Sequence, residues 1–121
     1  MRKRSALALL GFLALLASAL AARAVAETAG SAEEMKQALA DYGCIACHGE
    51  AEVRIGPPFD AIARRYSAAT DEQIYVLTRK VLRGGAGNWG IVPMNAQPDL
   101  PSAEAARLVT WIIGQGAAGT R

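Results

Sequence analysis

Apolar residues recur three and four positions apart in four separate stretches downstream of residue 30. Met35, Ala38, Leu39 and Tyr42 predict a first helix, with Ser31 and Glu34 as a capping box and Gly43 as its stop. Phe59, Ile62, Ala63 and Tyr66 predict a short second helix. Ile74, Leu77 and Val81 form the stripe of a third, opened by Thr70 with Gln73 in the capping-box position. Arg79, Lys80 and Arg83 suit its C-terminal dipole, and Gly84-Gly85 ends it. Ser102 caps a last helix with Ala105, Leu108, Val109 and Ile112 inward; Gly114 closes it and leaves a frayed tail to Arg121. Residues 50–58 read as loop, stiffened by Gly56-Pro57-Pro58. Residues 86–101 form a longer loop with three prolines, two glycines and two asparagines, a length that points to function or disorder. No stretch alternates like a strand, so the pattern predicts an all-α chain.

The first residues change the picture of the mature protein. Arg2, Lys3 and Arg4 precede an apolar run over residues 6–20, and Ala24-Val25-Ala26 follows as an A-x-A site. This is the layout of a secretory signal peptide, residues 1–26, with Ala22-Arg23-Ala24 as a second, weaker cleavage site. The run falls short of the roughly 18 residues of a spanning helix. Cleavage predicts a single small domain over residues 27–121 with a short flexible C-terminal tail and no membrane span. It also removes four of the thirteen basic residues and none of the eleven acidic ones. Nine basic against eleven acidic residues leave a formal charge of −2. Nothing in that balance suggests nucleic acid.

Candidate chemistry sits in Cys44-Ile45-Ala46-Cys47-His48. C-x-x-C-H is the attachment signature of c-type haem. Two intervening residues in a helix-like turn let both sulfurs reach the vinyl groups of one porphyrin edge, and the next residue turns its imidazole towards the iron. Cys44 and Cys47 are the only cysteines, and His48 is the only histidine. Zinc would need a fourth ligand. A redox dithiol belongs in a βαβ setting that is lacking here. A disulfide across two residues would be strained. A sixth iron ligand must then be soft. Met35 lies on the first helical stripe and reads as core. Met94, in the long loop after Pro93, has no evident packing role and is the expected axial ligand, with an open or water-bound iron as the alternative. Two protein ligands close the iron and leave outer-sphere electron transfer. A peroxidase would need a distal acid–base residue, and the only histidine is already used.

The segments Gly43–His48, Ile55-Gly56-Pro57, Asn88-Trp89-Gly90-Ile91-Val92-Pro93-Met94 and Leu108-Val109-Thr110-Trp111-Ile112 together resemble the small bacterial class I c-type cytochromes. The likeness is to the monohaem, periplasmic type that donates electrons to nitrite reductase, and it covers residues 35–115. It implies a small cytochrome c fold of about four short helices wrapped around one covalently attached haem c. It implies that the Pro57 carbonyl orients His48, that the Trp89 indole reaches a haem propionate, and that Lys80, or its neighbour Arg79, does likewise. Trp111 is expected in the core between the terminal helices. The Asn95-Ala96-Gln97 sequence after Met94 is poorer in proline than in many relatives, and the tail is longer. The implied function is that of a periplasmic electron carrier, monomeric and not an enzyme. Its partners would be redox proteins such as a reductase, an oxidase or a cytochrome complex. A haem subunit of a dedicated oxidoreductase complex and a haem-based gas sensor are the alternatives. Ile45, Ile55 and Val92 are expected at an exposed apolar rim.

Overall fold

The computed structural model describes residues 32–118. The expected signal peptide, its cleavage sites and the Ser31 cap lie outside the described residues. Helices run over Ala32–Asp41 (α1), Cys44–Cys47 (α2), Phe59–Arg65 (α3), Asp71–Arg83 (α4) and Ser102–Ala118 (α5). Four match the expected helices. The fifth is the single turn α2 that carries both cysteines. Among the described residues the sole β pairing is an isolated antiparallel bridge between Gly85 and Met94.

The helix ends follow local chemistry. Gly43 takes a left-handed φ of 71°, which lets the chain leave α1 and re-enter a helix at Cys44. Thr70 and Gln73 form the expected capping box: the Gln73 backbone N–H donates to Thr70 Oγ1 at 3.3 Å, and the Thr70 N–H donates to Gln73 Oε1 at 2.9 Å. In α3, Asp60 lies in the first turn and Arg64 and Arg65 in the last, each favourable to the dipole.

The core centres on Met35, Leu39, Leu100, Ala105 and Leu108, joining α1 to α5. Met35 is fully buried, so it packs the core as its helical spacing predicts. Trp111 packs against this cluster, half-buried. Both α3 and α4 pack on α5. On α5 the buried residues include Ala105, Leu108 and Val109, but Ile113 is buried where Ile112 was expected; Ile112 is half-buried at the cluster's edge.

The last helix does not end at Gly114 as expected; the rest of the expected tail, residues 119–121, lies outside the described residues. Helix α5 continues through Gly114 to Ala118. The reason lies in packing: a side chain at Gly116 would collide with the carbonyl of Ala63 in α3. Glycine there permits close backbone approach, which offsets its cost of roughly 1 kcal/mol in a helix interior.

On α4 the stripe of Ile74, Leu77 and Val81 is only half-buried, and the buried residue is Thr78. Its hydroxyl donates to the Ile74 carbonyl at 2.8 Å, which satisfies it within the helix.

Candidate functional site

The C-x-x-C turn is built by backbone geometry. After Gly43, Cys44–Cys47 make one helical turn, and His48 leaves it in an extended conformation while its N–H donates to the Cys44 carbonyl at 3.0 Å. Both cysteines are free and half-buried. Burial pushes the Cys44 thiol pKa up, with the neighbouring Cys47 adding a smaller upward push against a backbone hydrogen bond that lowers it.

Residues 49–58 fold back over this turn. The Gly56 N–H donates to the Cys47 carbonyl at 2.8 Å, and the Phe59 N–H donates to the Gly49 carbonyl at 2.9 Å. That return brings the Pro57 carbonyl to 2.7 Å from His48 Nδ1. A carbonyl only accepts, so Nδ1 carries the proton, and in the neutral imidazole Nε2 keeps its lone pair. The ring also stacks on Phe59, with centroids 5.5 Å apart. A Cβ at Gly56 would stand 2.7 Å from His48 Cε1, so only glycine lets the loop lie this close to the imidazole. Sequence reading placed Gly56 in a stiff turn but missed this contact. Arg54 braces the same loop: it pairs with Glu52 at 2.6 Å and donates to the Ile45 carbonyl.

Met94 is held from another direction. It is half-buried, and its backbone makes both bonds of the bridge to Gly85, at 3.0 and 2.9 Å. Gly84 precedes the bridge with φ 71° and ψ −159°, a region open essentially to glycine. A Cβ there would also approach the Ala96 nitrogen to 2.7 Å. The Gln97 N–H is shared between the carbonyls of Val81 and Leu82, each at 3.3 Å. The long loop is therefore tied to the end of α4 rather than structureless. Within it, the Gly87 N–H donates to the Gly90 carbonyl at 2.9 Å.

The other candidate residues divide. Lys80 reaches the long loop, its Nζ donating to the Ala86 carbonyl at 2.9 Å. Arg79 instead engages Tyr75 on its own helix, hydroxyl and ring alike. Trp89 is 43% exposed. Ile45, Ile55 and Val92 are all exposed, as expected, and so are Val53 and Ile91, which sequence reading passed over.

These residues fit a covalently bound haem. Two thiols stand one helical turn apart, next to an imidazole whose Nε2 is free to ligate. Among the described residues, six of the eight exposed large hydrophobic residues lie in the segments carrying the candidate residues: α2, the loop before Pro57, and the stretch from Trp89 to Val92. Among the described residues no three His, Cys, Asp or Glu side chains gather as a cage for a metal ion. Nor is any helix there long and apolar enough to cross a membrane.

Comparison with known proteins agrees. The cytochrome c family model matches residues 32–114. The chain is 41% identical over 75 residues to cytochrome c-551 of Allochromatium vinosum, spanning 60% of this chain and 76% of that one. It is 37% identical over 90 residues to cytochrome c-552 of Hydrogenobacter thermophilus, spanning 74% and 90% respectively. The crystal structure of wild-type Nitrosomonas europaea cytochrome c552 superposes with a TM-score of 0.58 at 33% identity, over 63% of this chain and 93% of that one. The family match takes in α1 to α4 and most of α5, and the chain belongs to the cytochrome c family: a small all-α, class I c-type cytochrome that carries one covalent haem c and transfers electrons rather than transforming a substrate.

Proposed function

We propose that this protein is a periplasmic one-electron carrier with a six-coordinate His48/Met94 haem, exported by residues 1–26 and monomeric after their removal. The observation that carries the reading is the way both side chains are held. His48 has one ring nitrogen committed to Pro57, which orients the other. Met94 has both backbone groups committed to Gly85, which leaves only the thioether to swing.

When bound, the haem supplies a one-electron couple whose potential is raised by thioether ligation relative to two imidazoles. The protein's part is positional. Cys44 and Cys47 anchor the group covalently. Pro57 holds the His48 tautomer. Trp89, with Lys80 at the same loop, serves the propionates; the engagement of Arg79 with Tyr75 favours Lys80 over its neighbour. Ile45, Val53, Ile55, Ile91 and Val92 supply an apolar surface for brief docking of a reductase, an oxidase or a cytochrome complex.

Visible spectroscopy tests the ligation. The ferric protein should show a weak charge-transfer band at the red end from sulfur on iron, and Met94→Ala should abolish it. A wild type that lacks the band, and whose reduced form binds carbon monoxide readily, would overturn the closed iron and turn attention to gas sensing.

A further inference from the structure

Arg65 ends α3, and its charge has no carboxylate partner in the ion pairs among the described residues. Its guanidinium instead crosses to the long loop. The guanidinium carbon stands 4.6 Å from the centroid of the Trp89 ring, within cation–π range. Nη1 donates to the Asn88 carbonyl at 2.8 Å. The same guanidinium lies 5.7 Å from the Tyr66 ring, so it sits between two aromatic side chains. One planar group thus grips both the backbone and the side chain of the loop, at a separation of 23 residues from Asn88.

Trp89 has little else to fix it. It is 43% exposed, and it is not among the residues packed on the core cluster. The turn from Gly87 to Gly90 shapes its backbone but does not aim its ring. A half-exposed indole held only by its own torsions would sample several rotamers.

We propose that Arg65 is a positioning residue for the haem site: it fixes the Trp89 ring and the adjoining loop backbone from outside, and so sets the indole's approach to the propionate. This rests on the reading of Trp89 as a propionate partner. Arginine suits the role better than lysine because its planar fork can stack on a ring and donate to a carbonyl at once.

The test uses the holoprotein. In Arg65→Gln, the solvent exchange of the Trp89 indole N–H, followed by NMR, should quicken by about tenfold, the scale of one lost cation–π contact and hydrogen bond. Exchange within about twofold of wild type would overturn the proposal. Arg65→Lys keeps the charge but loses the fork, so a shift in reduction potential there reports position rather than charge. That shift should vanish when Trp89 is already Phe, because the residue acts through the indole. A shift of full size in the Trp89→Phe background would also overturn it. Failure of the underlying reading looks different: Trp89→Phe alone would then leave the potential unchanged, while the exchange of the wild-type indole would still answer to Arg65.

Discussion

Residues 43–59 hold His48 through contacts close in sequence, whereas residues 84–97 hold Met94 through the end of a helix and a side chain from elsewhere. On the first side, a left-handed Gly43, the single turn α2, the return of Gly56 and Pro57, and the Phe59 ring all lie within eleven residues of the histidine. On the second, Met94 depends on Gly85, Gln97 depends on Val81 and Leu82, and Trp89 depends on Arg65. The lesson is that the two residues proposed to ligate one iron are secured in different ways. One is a loop folded back on the haem-motif turn; the other is a loop stapled to the end of α4, with Arg65 reaching its Asn88 and Trp89 from α3.

The sharpest way to break this contrast is to load each side separately. Gly84→Ala places a side chain in a backbone region reserved for glycine and against the Ala96 nitrogen. It should cost about 1–3 kcal/mol from backbone strain and weaken the red-end band, because the strain falls on the Met94 side. Denaturant titration and the ferric spectrum measure both effects; an unchanged band would sink the idea that the bridge holds the methionine.

Gly56→Ala should cost a similar ~1–3 kcal/mol by overpacking against the imidazole. Here the red-end band should survive in the folded protein, while NMR of His48 shows a displaced ring. If both glycine variants perturb the same ligand, the two-sided description is wrong.

Thr70→Ala removes half of the capping box at the start of α4, the helix from whose far end the Met94 loop hangs. A loss of about 1 kcal/mol is expected. The denaturation midpoint should move while the spectrum stays, since the defect lies about four turns from Gly84.

Glu52 offers the mildest test, on the His48 side. Its carboxyl pKa is lowered by its own backbone N–H first, then by Arg54. A depressed carboxylate contributes stability at pH values above its unfolded pKa, near ~4.3, and loses that contribution as pH falls through the lower folded value. Glu52→Gln should therefore be slightly less stable than wild type near neutrality and equal to it in strong acid. The group is fully exposed, so the effect is small. A gap that widened in acid would reverse the sign argued here.

Legibility in the sequence tracked this same divide. C-x-x-C-H, the Thr70–Gln73 box and Gly43 are local signals, and each can be read without knowing any neighbour in space. The contact between His48 and Pro57 was implied by resemblance, and the geometry contains it. Gly56 and Gly84 were legible only as a turn and a stop, and Gly116 carried no signal at all. Their actual work is to admit another backbone or ring, and that depends on what the fold brings near. Gly114 misled because a glycine that ends a helix and one inside a helix that packs two residues further on look alike in one dimension. Arg65 was invisible because its partners, Asn88 and Trp89, stand a loop and a helix away. The stripe of α4 was legible as apolar, and it is half-buried in the fold.

The Gly85–Met94 bridge has one more consequence. Its two hydrogen bonds staple both ends of the intervening segment and close residues 86–93 into a hoop. Inside it lie Ile91, at 93% the most outward of the exposed hydrophobic residues, and Val92. Substitutions within the hoop can remodel the face offered to other proteins while the staple keeps the methionine in place. In the proposed reading, recognition at Ile91 and Val92 and ligation by Met94 are thereby uncoupled, so such a carrier can change its clientele without changing its iron.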